Sequence, residues 1–127
     1  MNREPEHPDR LHGVYVIRHA DTDEVLYVGM SNDPSNRIYL HHLALKSYWC
    51  FEPYTVAVHS APNRTEAKRL ERRLIEALCP RDNKHFRRVG MDVAPQRIDL
   101  PHAYTLDEFN DLMHEDDLRA RAESRAS

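Results

Sequence analysis

The run Leu11-His12-Gly13-Val14-Tyr15-Val16-Ile17-Arg18, then His19-Ala20-Asp21-Thr22-Asp23-Glu24, then Val25-Leu26-Tyr27-Val28-Gly29-Met30 decides the fold. Two apolar, β-branched segments flank a short polar stretch rich in turn formers, which is the pattern of a β-hairpin. The reading places strands at Leu11 to Arg18 and Val25 to Met30. Pairing symmetric about Asp21 sets Tyr15 directly opposite Tyr27, and opposite residues project to the same face. Gly29, lacking a side chain, leaves room for something to approach the backbone. Two phenols side by side on a strand pair are ordinarily packing, so their meaning depends on the rest of the chain.

After the second segment, Met30-Ser31-Asn32-Asp33-Pro34-Ser35-Asn36-Arg37 leads into Ile38-Tyr39-Leu40-His41-His42. Asp33 or Ser35 can cap a helix that Pro34 helps to start. Arg37 and His41 are four residues apart and share a face of that helix. A second helix opens at Pro62-Asn63-Arg64, runs through Ala67, Leu70, Leu74, Ile75 and Leu78, and stops at Pro80. Glu71 lies on the row Ala67, Glu71, Ile75, Leu78, at the edge of the apolar stripe. A carboxylate there costs free energy unless it is paired, for example with Lys68, or holds a metal.

The net charge of −3 hides a polarised chain. From Arg64 to Arg88 nine basic residues (Arg64, Lys68, Arg69, Arg72, Arg73, Arg81, Lys84, Arg87, Arg88) face four acids, a net of +5. Thr105 to Ser127 carries seven acids and three arginines, a net of −4. The basic segment suits a polyanion, although a solvated, salt-bridged helix face would look the same in isolation. No hydrophobic run is long enough to span a bilayer and no secretion signal opens the chain, so a cytoplasmic protein with no membrane partner is expected. Cys50 and Cys79 are then expected to stay reduced. The nine histidines show no metal-type spacing, and the neighbours His41 and His42 are expected to diverge on their helix.

Residues 1–10 read as a polar N-terminal segment, and residues 89–127 as an extension made of a loop and an acidic amphipathic helix. Gly90 to Pro101 reads as loop, and Thr105-Leu106-Asp107-Glu108 as a capping box. Leu106, Phe109, Leu112, Met113 and Leu118 supply the apolar stripe. Docking on the core is the default for such a helix; a homodimer or protein-partner contact is the alternative. The stretch Arg119 to Ser127 is expected to fray.

Taken together, the sequence resembles the GIY-YIG nuclease family. Gly13-Val14-Tyr15 and Tyr27-Val28-Gly29 match its two signatures, with Val where Ile is typical. Met30-Ser31 and Arg37 with His41 match its next block, and Leu70-Glu71 followed by Pro80 and Asn83 its last. The resemblance covers residues 11–88 and implies an α+β fold, a small antiparallel three-stranded sheet flanked by helices. The third strand would be Tyr54 to His59. It also implies a divalent-metal-dependent endonuclease acting on DNA, with RNA left open. Glu71 would be the single protein ligand of Mg²⁺ or Mn²⁺, an ion that keeps its waters and needs few carboxylates. Arg37 would contact the scissile phosphate, Tyr15 and Tyr27 would position or deprotonate the attacking water, and His41 is the other proton-transfer candidate. Gly29, Ser31 and Asn83 would support them, Asn83 by orienting its neighbours.

Two positions depart from the pattern: Met30 stands where many members carry Lys, and Asn36 where a second basic residue often precedes the arginine. Both losses weaken phosphate contacts. They keep alive a second reading, a non-cleaving or weakly active nucleic-acid-binding module acting with a partner. DNA repair, mobile-element or phage biology and host defence all suit the first reading, and no appended recognition domain narrows the choice.

Overall fold

A computed structural model describes residues 10–44, 48–83 and 100–126. The elements run β1 (His12–His19), β2 (Val25–Ser31), α1 (Pro34–Ala44), a 3-10 turn (Tyr48–Phe51), β3 (Tyr54–Ala61), α2 (Arg64–Leu78), β4 (Ala103–Tyr104) and α3 (Leu106–Ala126). The sheet is antiparallel, in the order β2-β1-β3-β4. This is the α+β architecture expected, with four strands rather than three. The added strand, β4, is two residues long and pairs Val58 with Tyr104 and His59 with Ala103. So short a segment has no period for sequence to show.

Both faces of the sheet are covered, which is why β1 is almost continuously apolar. On one face Val14, Val16 and Val28 pack against Ala67, Leu74, Ile75 and Leu78 of α2. On the other Tyr15, Ile17, Leu26 and Val58 pack against Ile38 of α1, Trp49 of the 3-10 turn and Phe109 of α3. The C-terminal helix therefore docks on the core. Its first turn is the expected capping box: the Thr105 amide donates to Glu108 Oε1 (2.8 Å) and the Glu108 amide to Thr105 Oγ1 (3.1 Å). Rather than fraying at Arg119, α3 continues to Ala126, helped by an Arg121–Asp117 pair one turn apart (3.2 Å). Residues 1–9 of the polar N-terminal segment, the loop from Gly90 to 99, and Lys84, Arg87 and Arg88 lie outside the described residues.

The hairpin register differs from the symmetric one. Tyr15 lies opposite Gly29, and Ile17 opposite Tyr27. The turn closes with Asp23 in the left-handed region (φ 63°), a conformation aspartate tolerates. The ladder then breaks between Ile17 and Arg18, where Leu26 is the extra residue of a β-bulge. Turn and bulge together displace the pairing by two residues. An even shift keeps the faces, so Tyr15 and Tyr27 become diagonal neighbours on one face.

β2 is an edge strand, and the segment after α2 covers it. The amide of Arg81 donates to Val25 O (3.1 Å) and that of Asp82 to Leu26 O (2.8 Å). Buried Asn83 then takes both backbone groups of Val28: its Oδ1 accepts from the amide (2.8 Å) and its Nδ2 donates to the carbonyl (2.9 Å). Cys79, left-handed at φ 48°, ends α2 and turns the chain onto this path.

Candidate active site

A cleft of about 660 Å³ is lined by Tyr15 and Gly29 from the sheet, Tyr27 beside them, Arg37 from α1 and Glu71 from α2. Local sequence aims each of these. Ser31 Oγ accepts the Asp33 amide (2.9 Å), and Asp33 Oδ1 accepts that of Asn36 (3.3 Å), so Asp33 is the cap and Pro34 opens α1. Arg37 is thereby placed in the helix's first turns, where its charge acts on the Tyr15 phenol. Asn63 caps α2 through the Glu66 amide (2.9 Å). The row Arg64, Lys68, Glu71 then faces the cleft, with half-buried Glu71 deepest toward the apolar stripe.

Gly29 does leave room, and what fills it is the ring of Tyr15: a Cβ at position 29 would collide with the ring's Cζ and Oη. Tyr15 is 1% exposed and its centroid is 6.2 Å from that of Tyr27. Burial, then the neighbouring phenol and Glu71, push the Tyr15 hydroxyl above its ordinary range, against the pull of Arg37. Burial, then Glu71, raise Tyr27 likewise, with Arg37 again opposing. With no metal ion beside them, both phenols thus stand protonated at neutral pH.

Tyr27 is held from behind by an aromatic group. Trp49, fully buried, stacks on it at 5.8 Å, and His41 meets it edge-on at 5.2 Å. His41 thus reaches the cleft's edge through its contact with Tyr27 and is not among the described residues that line the cavity. His41 and His42 go to different partners, His41 to Tyr27 and His42 to Tyr54. The His42 ring also meets Trp49, at 5.8 Å, as the wide indole spans both imidazoles, and its Nε2 bonds the Tyr54 hydroxyl (2.7 Å). Trp49, the chain's single tryptophan, is the supporting residue the sequence reading missed.

The basic residues divide. Arg64 and Lys68 line the cleft. Arg69 pairs with Glu66 (2.8 Å) and Arg72 with Glu76 (3.1 Å) on the exposed side of α2, where Arg73 also lies. Arg81 is bound into the scaffold, doubly to Glu52 (3.0 and 2.6 Å) and to Asp82 (2.8 Å). Arg10 and, from α3, Met113, Asp116 and Asp117 complete the cleft's lining and were not anticipated. A signal existed: residues 116 and 117 follow Met113 by three and four, continuing its stripe.

Among the described residues no three His, Cys, Asp or Glu side chains converge. Of the carboxylates that line the cleft, Asp116 and Asp117 pair with Arg10 and Asp33 caps α1, so the one that fits a cation beside Tyr15, Tyr27 and Arg37 is Glu71, a hard oxygen ligand of the kind Mg²⁺ accepts while keeping its waters. The α+β fold thus presents two phenols, Arg37 and Glu71 to a single cleft. The model of the GIY-YIG catalytic domain matches residues 11–85, more than half of the chain's 127, and the chain belongs to that nuclease-type family. No curated protein and no solved structure matches the chain. No described helix is long and apolar enough to cross a membrane.

Proposed function

We propose that this chain is a divalent-metal-dependent endonuclease that hydrolyses phosphodiester bonds in DNA, its nuclease unit spanning residues 11–88. The observation that carries the reading is the convergence of Tyr15, Tyr27, Arg37 and Glu71 on one cleft from four different elements. Glu71 would hold Mg²⁺ or Mn²⁺, which supplies Lewis acidity and lowers the pKa of bound water. Arg37 binds the scissile phosphate and offsets the charge that grows on it in the transition state. Tyr15 and Tyr27, protonated, orient the attacking water by hydrogen bonds. His41 and Trp49 fix the Tyr27 ring, so His41 acts by positioning. Arg64 and Lys68 bind flanking phosphates, and Ser31 and Asn83 set the backbone of α1 and β2.

The test incubates the protein with plasmid, single-stranded DNA, branched DNA and RNA, in Mg²⁺, Mn²⁺ or EDTA, beside Glu71→Ala. Cutting that requires both metal and Glu71 is expected. A Glu71→Ala protein that cuts as well as wild type refutes the site. The binding-module reading draws on one observation: Met30 and Asn36 both line the cleft without charge. It requires retention of nucleic acid in EDTA with no cleavage in metal.

A further inference from the structure

Arg81 and Asp82, between Pro80 and Asn83, hold two parts of the fold at once. Their amides donate to Val25 O (3.1 Å) and Leu26 O (2.8 Å), the carbonyls of the two residues that precede Tyr27 on β2. Leu26 is the bulged residue, and a bulge next to a site re-aims neighbouring side chains. Their side chains reach the 3-10 turn. Asp82 Oδ2 accepts the Trp49 amide (3.0 Å), from a side chain only 9% exposed. The Trp49 carbonyl accepts the Glu52 amide (3.2 Å). Arg81 joins the two acids, with Nη1 and Nη2 on Glu52 (3.0 and 2.6 Å) and Nε and Nη2 on Asp82 (2.8 and 3.1 Å). Both backbone groups of Trp49 are thus held by residues that one guanidinium links. The indole they fix is fully buried and stacks on Tyr27 at 5.8 Å, with the planes 26° apart.

We propose that Asp82, held by Arg81, is a positioning residue for cleavage: it sets the Tyr27 phenol through the strand that precedes it and through the indole stacked on it. This rests on the nuclease reading above. Asp82 is not among the described residues that line the cleft, so its influence runs through Tyr27 rather than through substrate. The Arg81–Glu52 arm is about one third exposed at each end, and such a pair adds little to stability. What it does is hold the Asp82 carboxylate in the one orientation that meets the Trp49 amide. Tyr54 and His42 also meet the indole edge-on, at 5.1 and 5.8 Å, so the ring has neighbours on several sides and its backbone sets where it sits among them. A phenol that orients an attacking water must be placed closely. A displacement of about 1 Å, even from a residue away from the chemistry, can cost a hundredfold in rate.

The experiment uses the full chain, Mg²⁺ and a labelled DNA that wild type cuts, below the melting midpoint of every variant. Asp82→Ala should lower kcat about tenfold or more and leave KM within about threefold, since Arg37, Arg64 and Lys68 still meet phosphate. Asp82→Asn keeps an acceptor for the Trp49 amide and should recover most of that loss. Tyr27→Phe keeps the stacked ring and lacks the hydroxyl. In that background Asp82→Ala should cost less than about threefold further, because no hydroxyl remains to be aimed. Trp49 is the chain's single tryptophan, so its fluorescence reads the hold without any cleavage. Its emission should move to longer wavelength in Asp82→Ala and stay in place in Asp82→Asn. Should Asp82→Ala not fold, Arg81→Gln, at a partly exposed position, releases both acids and takes its place with the same expected signs. An unchanged kcat, a rise in KM alone, an equal loss with and without the Tyr27 hydroxyl, or an unshifted emission overturns this proposal alone. A wild type that cuts no DNA overturns the nuclease reading, and Tyr27→Phe as active as wild type overturns the role given there to Tyr27; either takes this proposal with it.

Discussion

Replacing Asn83 with alanine removes the two hydrogen bonds that its side chain makes to Val28, at 2.8 and 2.9 Å, from a residue only 8% exposed. The strand keeps its N–H and C=O, now without their partner. Leaving a buried donor or acceptor unmet costs about 1–3 kcal/mol each, so the pair is worth roughly 2–6 kcal/mol, near the lower end where water can enter at the strand edge. In a domain of this size a loss of about 3 kcal/mol moves the melting midpoint by roughly 10 °C. Asn83→Asp sharpens the argument. Its carboxylate can still accept the Val28 amide, but it sets a second acceptor against the carbonyl, so it should be no more stable than the alanine variant. Urea unfolding of the three proteins gives the free energies, with an unchanged m-value confirming that only stability moved. Val28 lies between Tyr27 and Gly29, yet Asn83 itself touches no reacting group. At a temperature where the variant is folded, cleavage should survive within about tenfold. An alanine variant that loses less than about 1 kcal/mol, or an aspartate variant as stable as wild type, refutes the edge-clamp account.

Arg37→Ala should lower kcat by two to three orders of magnitude, the usual consequence of losing one donor to transition-state charge, while the melting midpoint changes little because the side chain is exposed. Gly29→Ala places a methyl where the Tyr15 ring now lies, and overpacking of this kind costs about 1–3 kcal/mol; a lower midpoint together with loss of cleavage is expected, and an unchanged protein would contradict the packing. His59 is buried with Nδ1–H donating to Pro101 O (2.9 Å), and burial holds it below its ordinary pKa of 6.5. The unfolded chain then takes up a proton that the folded chain refuses, so stability is full above pH 6.5 and falls as pH drops below it. Melting midpoints between pH 7.5 and 5.5 should decline in wild type and less steeply in His59→Asn.

What sequence made legible was local. The hairpin strands, the Asp33-Pro34 start of α1, the Asn63 start of α2 and the Thr105–Glu108 box each rest on contacts within a few residues. The hairpin register failed because a bulged residue costs little and leaves no compositional mark. Leu26 is as apolar as its neighbours, and nothing in Asp23 announces its positive φ. At the site, Tyr15, Tyr27, Arg37 and Glu71 stood out as a set through a family pattern, and the structure brings them to one cleft. His41 was legible as a residue, but only the fold shows the rings of Tyr27 and Trp49 around it. The basic count over Arg64 to Arg88 likewise could not show that Arg81 is consumed by Glu52 and Asp82.

The two signature glycines explain why the C-terminal extension belongs to the site. Each is the socket for a ring. Gly29 accommodates Tyr15, and a Cβ at Gly13 would come within 2.8 Å of Cζ of Phe109 and Cγ1 of Val58. Gly13 and Tyr15 are two apart on β1 and share a face, so Phe109 packs on the same surface that carries the Tyr15 phenol. A helix anchored at Phe109 repeats its face every seven residues, two turns and about 10 Å along the axis. That step leads from Phe109 to Asp116, the residue that meets Arg10 at the cleft. The helix that brings Asp116 and Asp117 to the cleft is thus seated on the glycine of the first signature. Enlarging Gly13 should therefore disturb α3 and the charged rim together with Tyr15.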